Sequence, residues 1–232
     1  MAKVKSRINR VLRMEIDGKY KALYDYDRAV SAETGLSVAG IDEAGRGPLA
    51  GPVVVAAVMF SEGALERYAV NDSKALTAQR RNELEEMLLS DGDVRIAVSI
   101  QSAAHIDEVN ILRATHEGMR QVALELSPGL ALVDGLKVPD FPVTARFIVK
   151  GDATSASIAA ASIIAKTRRD AMMVELAEKY PQYGFEKHKG YGTAEHLAAL
   201  RKYGPCPEHR MSFAPVRNIL EPRPVQMELP FS

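Results

Sequence analysis

The chain has 232 residues, 47% hydrophobic and 26% charged, with as many acidic as basic side chains. That length allows a full hydrophobic core and one main domain. Zero net charge excludes a protein that holds nucleic acid by bulk attraction alone, so any such binding rests on a few placed contacts. The single cysteine, Cys206, excludes an internal disulfide framework and fits a reducing compartment. Its neighbours Gly204, Pro205 and Pro207 read as a loop with no basic partner, which argues against a catalytic thiol. Residues 1–14 are basic without an apolar core, so they are not a secretory signal. The longest strongly apolar run, residues 53–60, is far short of the roughly 20 residues a membrane helix needs. A cytoplasmic monomer without membrane contact is expected.

Residues 1–35 carry eight Lys/Arg against five Asp/Glu. Within them, residues 13–30 have a loose helical spacing that Gly35 ends. This segment reads as a packing helix with a frayed tail, or as a helix that touches nucleic acid. Residues 36–41 and 53–60 are β-branched and apolar and predict two strands, joined by the Gly/Pro-rich stretch 44–52. Residues 77–90 predict an amphipathic helix with Thr77 as N-cap. A third strand is expected over 94–101, where Val94, Ile96, Val98 and Ile100 alternate.

Residues 105–126 predict one long helix, and 130–133 a short buried strand ending at Asp134. Residues 146–149 predict a strand that leads through Lys150 and Gly151 into Asp152. A helix rich in small residues follows over 155–179, then another over 193–203. The result is an α/β protein with a mixed sheet flanked by helices and a helical C-terminal part. The chain divides into an N-terminal extension (1–35), a catalytic domain (36–220) and a flexible tail (221–232).

Three apolar strands run into carboxylates, at Asp42-Glu43, Asp134 and Asp152. Sites in open α/β sheets lie at strand ends, and acids converging there repel unless a cation joins them. Oxygen ligands without a nearby histidine favour Mg²⁺ or Mn²⁺ over zinc. Two such ions, about 3.5–4 Å apart, can activate water and stabilise the leaving oxygen of a phosphodiester. Adjacent residues on a regular strand face opposite sides, so Asp42 and Glu43 share one centre only if the strand bends or ends there. Read alone, the same acids could serve as helix caps or turn formers.

Gly45, Gly47 and Gly51, interleaved with Pro48 and Pro52, suggest a rigid backbone that a ligand can approach closely. Arg46 would set a planar donor beside the acids, or simply occupy an exposed turn.

The run Val38-Ala39-Gly40-Ile41-Asp42-Glu43-Ala44-Gly45-Arg46-Gly47-Pro48-Leu49-Ala50-Gly51-Pro52 resembles the signature of bacterial ribonuclease HII. Further blocks match in order: Asn71-Asp72-Ser73-Lys74, Val133-Asp134-Gly135, Lys150-Gly151-Asp152, Ala159 to Lys166 with Arg169-Asp170, Pro181 to Phe185, His188 to Tyr191, and His209 to Phe213. The resemblance implies a ribonuclease H-like fold and cleavage of the RNA strand of RNA–DNA hybrids. It also implies cutting on the 5′ side of single ribonucleotides in duplex DNA. Asp42, Glu43, Asp134 and Asp152 then correspond to the family's metal-binding acids. Gly45, Arg46 and Gly47 correspond to the element that reads the ribonucleotide 2′-hydroxyl, the group that separates RNA from DNA. Tyr191 corresponds to a tyrosine that packs on the following deoxyribose. Ser73 and Lys74 correspond to backbone-phosphate contacts, and Lys166 and Arg169 either line the groove or form a solvated helix face. Arg46 favours this family over the related type HIII enzymes, which carry threonine there.

The C-terminal Gln226-Met227-Glu228-Leu229-Pro230-Phe231 resembles the short peptide by which bacterial repair proteins bind the sliding clamp. Met227, Leu229 and Phe231 would be apolar anchors and Gln226 a polar latch. Two other readings remain open at this point: a junction-resolving nuclease of the same fold, and a non-catalytic module that binds RNA–DNA hybrids.

Overall fold

The valine- and alanine-rich strand β2 (Val53–Phe60) sits inside a five-stranded sheet of order β3-β2-β1-β4-β5, so both its faces are covered. β1 (Val38–Ala44) pairs antiparallel with β2, and β2 antiparallel with β3 (Val94–Gln101). On its other side β1 pairs parallel with β4 (Leu130–Asp134), which pairs parallel with β5 (Ala145–Ile148). The computed structural model describes residues 20–70, 73 and 76–221. The expected helical stretch over 13–19, Lys74 and the tail beyond Glu221 lie outside the described residues.

Helix α1 (Lys21–Thr34) ends, as expected, at Gly35 in the left-handed conformation. α2 (Ala78–Ser90) starts from Thr77, whose side chain accepts the Arg80 N–H as an N-cap. The helix expected over 105–126 is two helices, α3 (Ala103–Val109) and α4 (Ile111–Leu126). Asn110 breaks them with φ 71° and caps α4 by accepting from the N–H groups of Leu112 and Arg113. Asn110, with ψ 161°, is held outside the left-handed helical region, and its two cap bonds offset that strain without interrupting the apolar periodicity of the sequence.

α5 (Ala156–Lys179) is the long helix behind β1. Its small residues let it approach the strand backbone to backbone: a Cβ on Gly40 would fall 2.1 Å from Ile158 N and Ser157 C. α1 docks onto the start of this helix through Asp27, which is 4% exposed and accepts the Ser157 N–H at 2.7 Å. Tyr24, also on α1, donates to the Tyr68 carbonyl and accepts from Val70 N–H at 3.1 Å.

One face of the sheet buries Val54, Ala56 and Val58 against α1, α2 and α5. The other buries Ile41, Val55, Ala57 and Val133 against α4. A third cluster joins Leu49 and Ala50 of the glycine-rich loop to Met173 of α5. It continues into α6 (Phe185–His188), α7 (Ala194–Tyr203) and α8 (Ala214–Leu220). The C-terminal helices thus clamp the loop that follows β1. Among the described residues no helix is long and apolar enough to cross a membrane.

Candidate active site

β1 does not end at Asp42. Its ladder with β2 continues through Asp42↔Ala56 and Glu43↔Val55 to Ala44↔Val54, whereas its ladder with β4 stops at Ile41↔Val133. Beyond Ile41 the β4 side of β1 is therefore open, with Asp134 at the end of the diverging strand. This notch answers the geometric difficulty posed by adjacent acids. Asp42 and Glu43 leave opposite faces of one strand, and both lie at its open edge.

Asp42 is 5% exposed and hydrogen-bonds the hydroxyl of Ser162 on α5. Its Oδ1 also accepts the Glu43 N–H at 2.7 Å. Burial raises its pKa well above the ordinary carboxylate range, and the charges of Glu43 and then Asp134 push the same way. Asp134 Oδ1 accepts the Gly151 N–H at 2.6 Å, which ties the end of β4 to the turn carrying the buried Asp152. A Cβ on Gly151 would come 3.2 Å from Asp134 Oδ1 and 2.6 Å from Ile158 Cδ1, so a side chain there would crowd both. Glu43 receives Arg46 Nη1 at 3.3 Å; the Arg46 side chain is 52% exposed, that of Glu43 only 13%.

Among the described residues no three His, Cys, Asp or Glu side chains stand together as a ready-made ion cage. The donor set nonetheless fits a divalent cation. Asp42 is a desolvated carboxylate facing two like charges, its hydrogen-bond partners are the Ser162 hydroxyl and the Glu43 amide, and every acidic donor is a hard oxygen.

The loop after β1 is bound to the segment carrying Tyr191. Leu49 N–H donates to Gly190 O at 2.8 Å, and a Cβ on Gly47 would touch Tyr191 Cε1 at 3.6 Å. Tyr191 is 48% exposed beside the exposed Arg46. Behind it runs a chain of histidines. Cys206 N–H donates to His209 Nδ1 at 3.0 Å, which leaves the His209 proton on Nε2, facing His196 Nε2 at 3.0 Å. The His196 proton then sits on Nδ1 and donates to the Tyr191 carbonyl at 2.9 Å. Every ring nitrogen of this pair is taken, so both rings are neutral braces. Burial lowers both pKa values, that of His209 to about 4. Cys206 packs against His209 with its thiol pushed up by burial, in a core rather than an exposed loop.

Two expected contacts differ in the structure. Ser73 is 3% exposed and its hydroxyl meets Ser162 Oγ at 2.9 Å, so it faces inward and not toward an outside phosphate. Arg169 neither lines a groove nor forms a solvated face; it is 1% exposed and bonded to main-chain carbonyls. Lys166 pairs with Asp170 at 2.7 Å one turn along α5. Sequence reading gave no role to Ser162: it lies in the matched block 159–166, but nothing in that run of small helix residues says that its hydroxyl meets Asp42. It also missed Arg210, fully buried under the loop.

A family model described as Ribonuclease HII matches residues 39–216. The chain belongs to the ribonuclease HII family. It is 51% identical to the ribonuclease HII of Chlamydia caviae over 84% of this chain and 92% of that one. It is 49% identical to that of Geobacillus kaustophilus over 90% of this chain and 80% of the other. Among solved structures, the ribonuclease HII of Archaeoglobus fulgidus, in a complex with PCNA, superposes with a TM-score of 0.67 at 31% identity. That match covers 77% of this chain and 95% of the archaeal one. The ribonuclease H2 of Pyrococcus horikoshii OT3 superposes at 0.65 with 29% identity, over 80% and 98% of the two chains. Membership of the ribonuclease HII family makes this an endonuclease of the ribonuclease H type 2 class, acting on the RNA of RNA–DNA hybrids.

Proposed function

We propose that the chain cuts RNA–DNA hybrids, and duplex DNA on the 5′ side of a single embedded ribonucleotide, using Asp42, Glu43, Asp134 and Asp152. The observation that carries this reading is Asp42 at the open edge of β1, its pKa raised first by burial and then by Glu43 and Asp134, with exposed Arg46 attached to Glu43. When bound, two divalent ions, Mg²⁺ or Mn²⁺, supply the charge that activates water and stabilises the leaving oxygen. The chain's own residues do the rest. Asp42 and Glu43 hold one side of the cluster and Asp134 and Asp152 the other, with Ser162 and Gly151 N–H fixing two of these carboxylates. The products carry 5′-phosphate and 3′-hydroxyl ends.

Gly45, Arg46 and Gly47 face the ribonucleotide and read its 2′-hydroxyl, and Tyr191 packs on the next sugar. Lys74 adds phosphate attraction without sequence preference. Cells would use the reaction to remove misincorporated ribonucleotides and RNA primers, in the cytoplasm and as a monomer. Residues 36–220 form the catalytic domain, 1–35 its extension, and 221–232 a tail. The complex with PCNA formed by the archaeal relative supports a clamp-binding role for Gln226, Met227, Leu229 and Phe231. Deleting residues 224–232 should abolish clamp binding and spare cleavage of short duplexes; unchanged clamp affinity refutes that assignment.

The test of the main reading compares three duplexes of one sequence: an RNA–DNA hybrid, DNA with one ribonucleotide, and DNA alone. Cleavage of the first two only is expected. Cutting of the all-DNA duplex would point to a resolvase-like enzyme, and binding without cutting to a recognition module. Arg46→Ala should mainly erode the preference for the ribonucleotide; equal loss on every substrate contradicts a 2′-hydroxyl-reading role.

A further inference from the structure

Two buried arginines hold the loop that carries Arg46. Arg169, from α5, and Arg210 are 1% and 0% exposed. Their partners are main-chain carbonyls. Arg169 donates from Nε to Pro52 O at 3.0 Å, from Nη2 to Ala50 O at 3.2 Å and from Nη1 to Lys189 O at 3.0 Å. Arg210 donates from Nε to Gly51 O at 3.0 Å, from Nη1 to Arg46 O at 2.9 Å, and from Nη2 to Gly45 O at 2.6 Å and Gly51 O at 2.9 Å. One planar fork thus spans both sides of the turn, which a single ammonium could not do.

Peptide planarity turns these bonds into a statement about donors. In a trans peptide the C=O of one residue and the N–H of the next point opposite ways. With the carbonyls of Gly45 and Arg46 drawn down onto Arg210, the N–H groups of Arg46 and Gly47 are aimed away from it. The Arg46 side chain and Tyr191, whose ring borders Gly47, are both exposed at this loop. Gly45, with φ 100°, leaves the space Arg169 needs, since a Cβ there would fall 2.0 Å from Arg169 Nε. Two guanidinium groups close under one loop also leave positive charge beneath it, which favours a phosphodiester above.

We infer that Arg210 and Arg169 are positioning residues for ribonucleotide recognition: Arg210, through the carbonyls of Gly45 and Arg46, fixes the outward N–H donors of Arg46 and Gly47, and Arg169 holds the later part of the same loop through the carbonyls of Ala50 and Pro52. The inference rests on the proposed role of the Gly45-Arg46-Gly47 element and adds what holds that element in its reading geometry. Burial, followed by the neighbouring Arg169 cation, brings Arg210 down to about 9, so it keeps its charge at neutral pH.

Arg210→Lys keeps a cation and removes the fork. Affinity is measured without divalent metal, so that nothing is cut, for a duplex with one ribonucleotide and for its all-DNA counterpart. The ratio of the two should fall about tenfold, which is about 1.4 kcal/mol, with all-DNA binding nearly unchanged. A cooperatively folding Arg210→Lys protein with the wild-type ratio overturns the inference. The wild-type chain gives a second readout that does not depend on how the variant folds. The Arg46 and Gly47 amide resonances should shift with the ribonucleotide duplex and much less with the all-DNA duplex, and equal shifts overturn the inference. Wild-type discrimination separates the two levels. If the wild-type enzyme does not prefer the ribonucleotide, the proposed function fails; if it does and Arg210→Lys does too, only the positioning role fails.

Discussion

Lowering the pH from about 7.5 to about 4.5 should loosen the core that holds Tyr191, because His209 must be neutral there. His209 Nδ1 accepts from Cys206 N–H, and its Nε2 faces His196 Nε2 at 3.0 Å, so a second ring proton would displace the Cys206 N–H bond and find only the weakly accepting Cys206 sulfur at 3.2 Å. Burial first, then the neighbouring His196, lower its pKa from 6.5 to about 4. The folded chain binds this proton less readily than the unfolded chain. The associated stability is therefore complete above pH 6.5 and is lost as pH falls toward about 4. The gap between 6.5 and about 4 corresponds to about 3 kcal/mol in full. By pH about 4.5 about 2.5 kcal/mol of it is gone, a large share of a typical domain stability of about 5–15 kcal/mol.

Asp42 contributes with the opposite sign. Its pKa is raised in the folded chain, so acidification relieves its desolvation and its repulsion from Glu43 and Asp134. Total stability against pH mixes both effects, and a variant separates them. His209→Asn can keep an oxygen acceptor for Cys206 N–H and cannot titrate. Urea unfolding of both proteins across this range should give a variant that is weaker at neutral pH and has a flatter acid limb. Parallel pH dependences in the two proteins would refute the assignment of His209 as a buried neutral brace.

Asp42→Asn should abolish cleavage and raise the thermal midpoint of the metal-free protein, since it removes a buried charge facing two others; an unchanged or lower midpoint in calorimetry contradicts the crowding of these acids. Gly40→Ala should destabilise by about 3 kcal/mol or more or prevent folding, because its Cβ would strike the backbone of α5 at 2.1 Å. A soluble Gly40→Ala protein with wild-type stability would show that α5 does not pack against β1 in this way. Asn110→Ala should cost about 2 kcal/mol in urea unfolding, the sum of a lost cap and a positive φ without glycine or asparagine. A loss below about 0.5 kcal/mol would mean that α3 and α4 tolerate another linkage.

Much of this architecture is legible in the sequence because it is local. β2 and β3 appear at their full extents, and the cap at Thr77 and the stop at Gly35 fall where their chemistry places them. The acids near the end of β1, at the end of β4 and in the turn before α5 are visible for the same reason. What escaped depends on partners far away in the chain. β1 continues through Asp42 and Glu43 because β2 holds its other edge, which no feature of residues 36–44 announces. Arg169 lies on a helix among charged neighbours and reads as a groove-lining or solvated residue, yet its acceptors include carbonyls of residues 50 and 52, more than 100 positions earlier. Arg210 is hidden in the same way, and only a loop whose carbonyls need donors explains why a cation is buried there.

The central claim is that Asp42, Glu43, Asp134 and Asp152 form one cation-dependent centre, set to cut beside a ribonucleotide. Its most direct test is an end-labelled duplex carrying a single ribonucleotide, incubated with the wild-type chain and with Asp134→Asn, in Mg²⁺, Mn²⁺ or chelator. The wild-type chain should make one cut, at the phosphodiester on the 5′ side of the ribonucleotide, only when metal is present. Folded Asp134→Asn should bind the duplex and leave it essentially intact. Cleavage in chelator, a cut elsewhere, or near-normal turnover by Asp134→Asn would contradict the account.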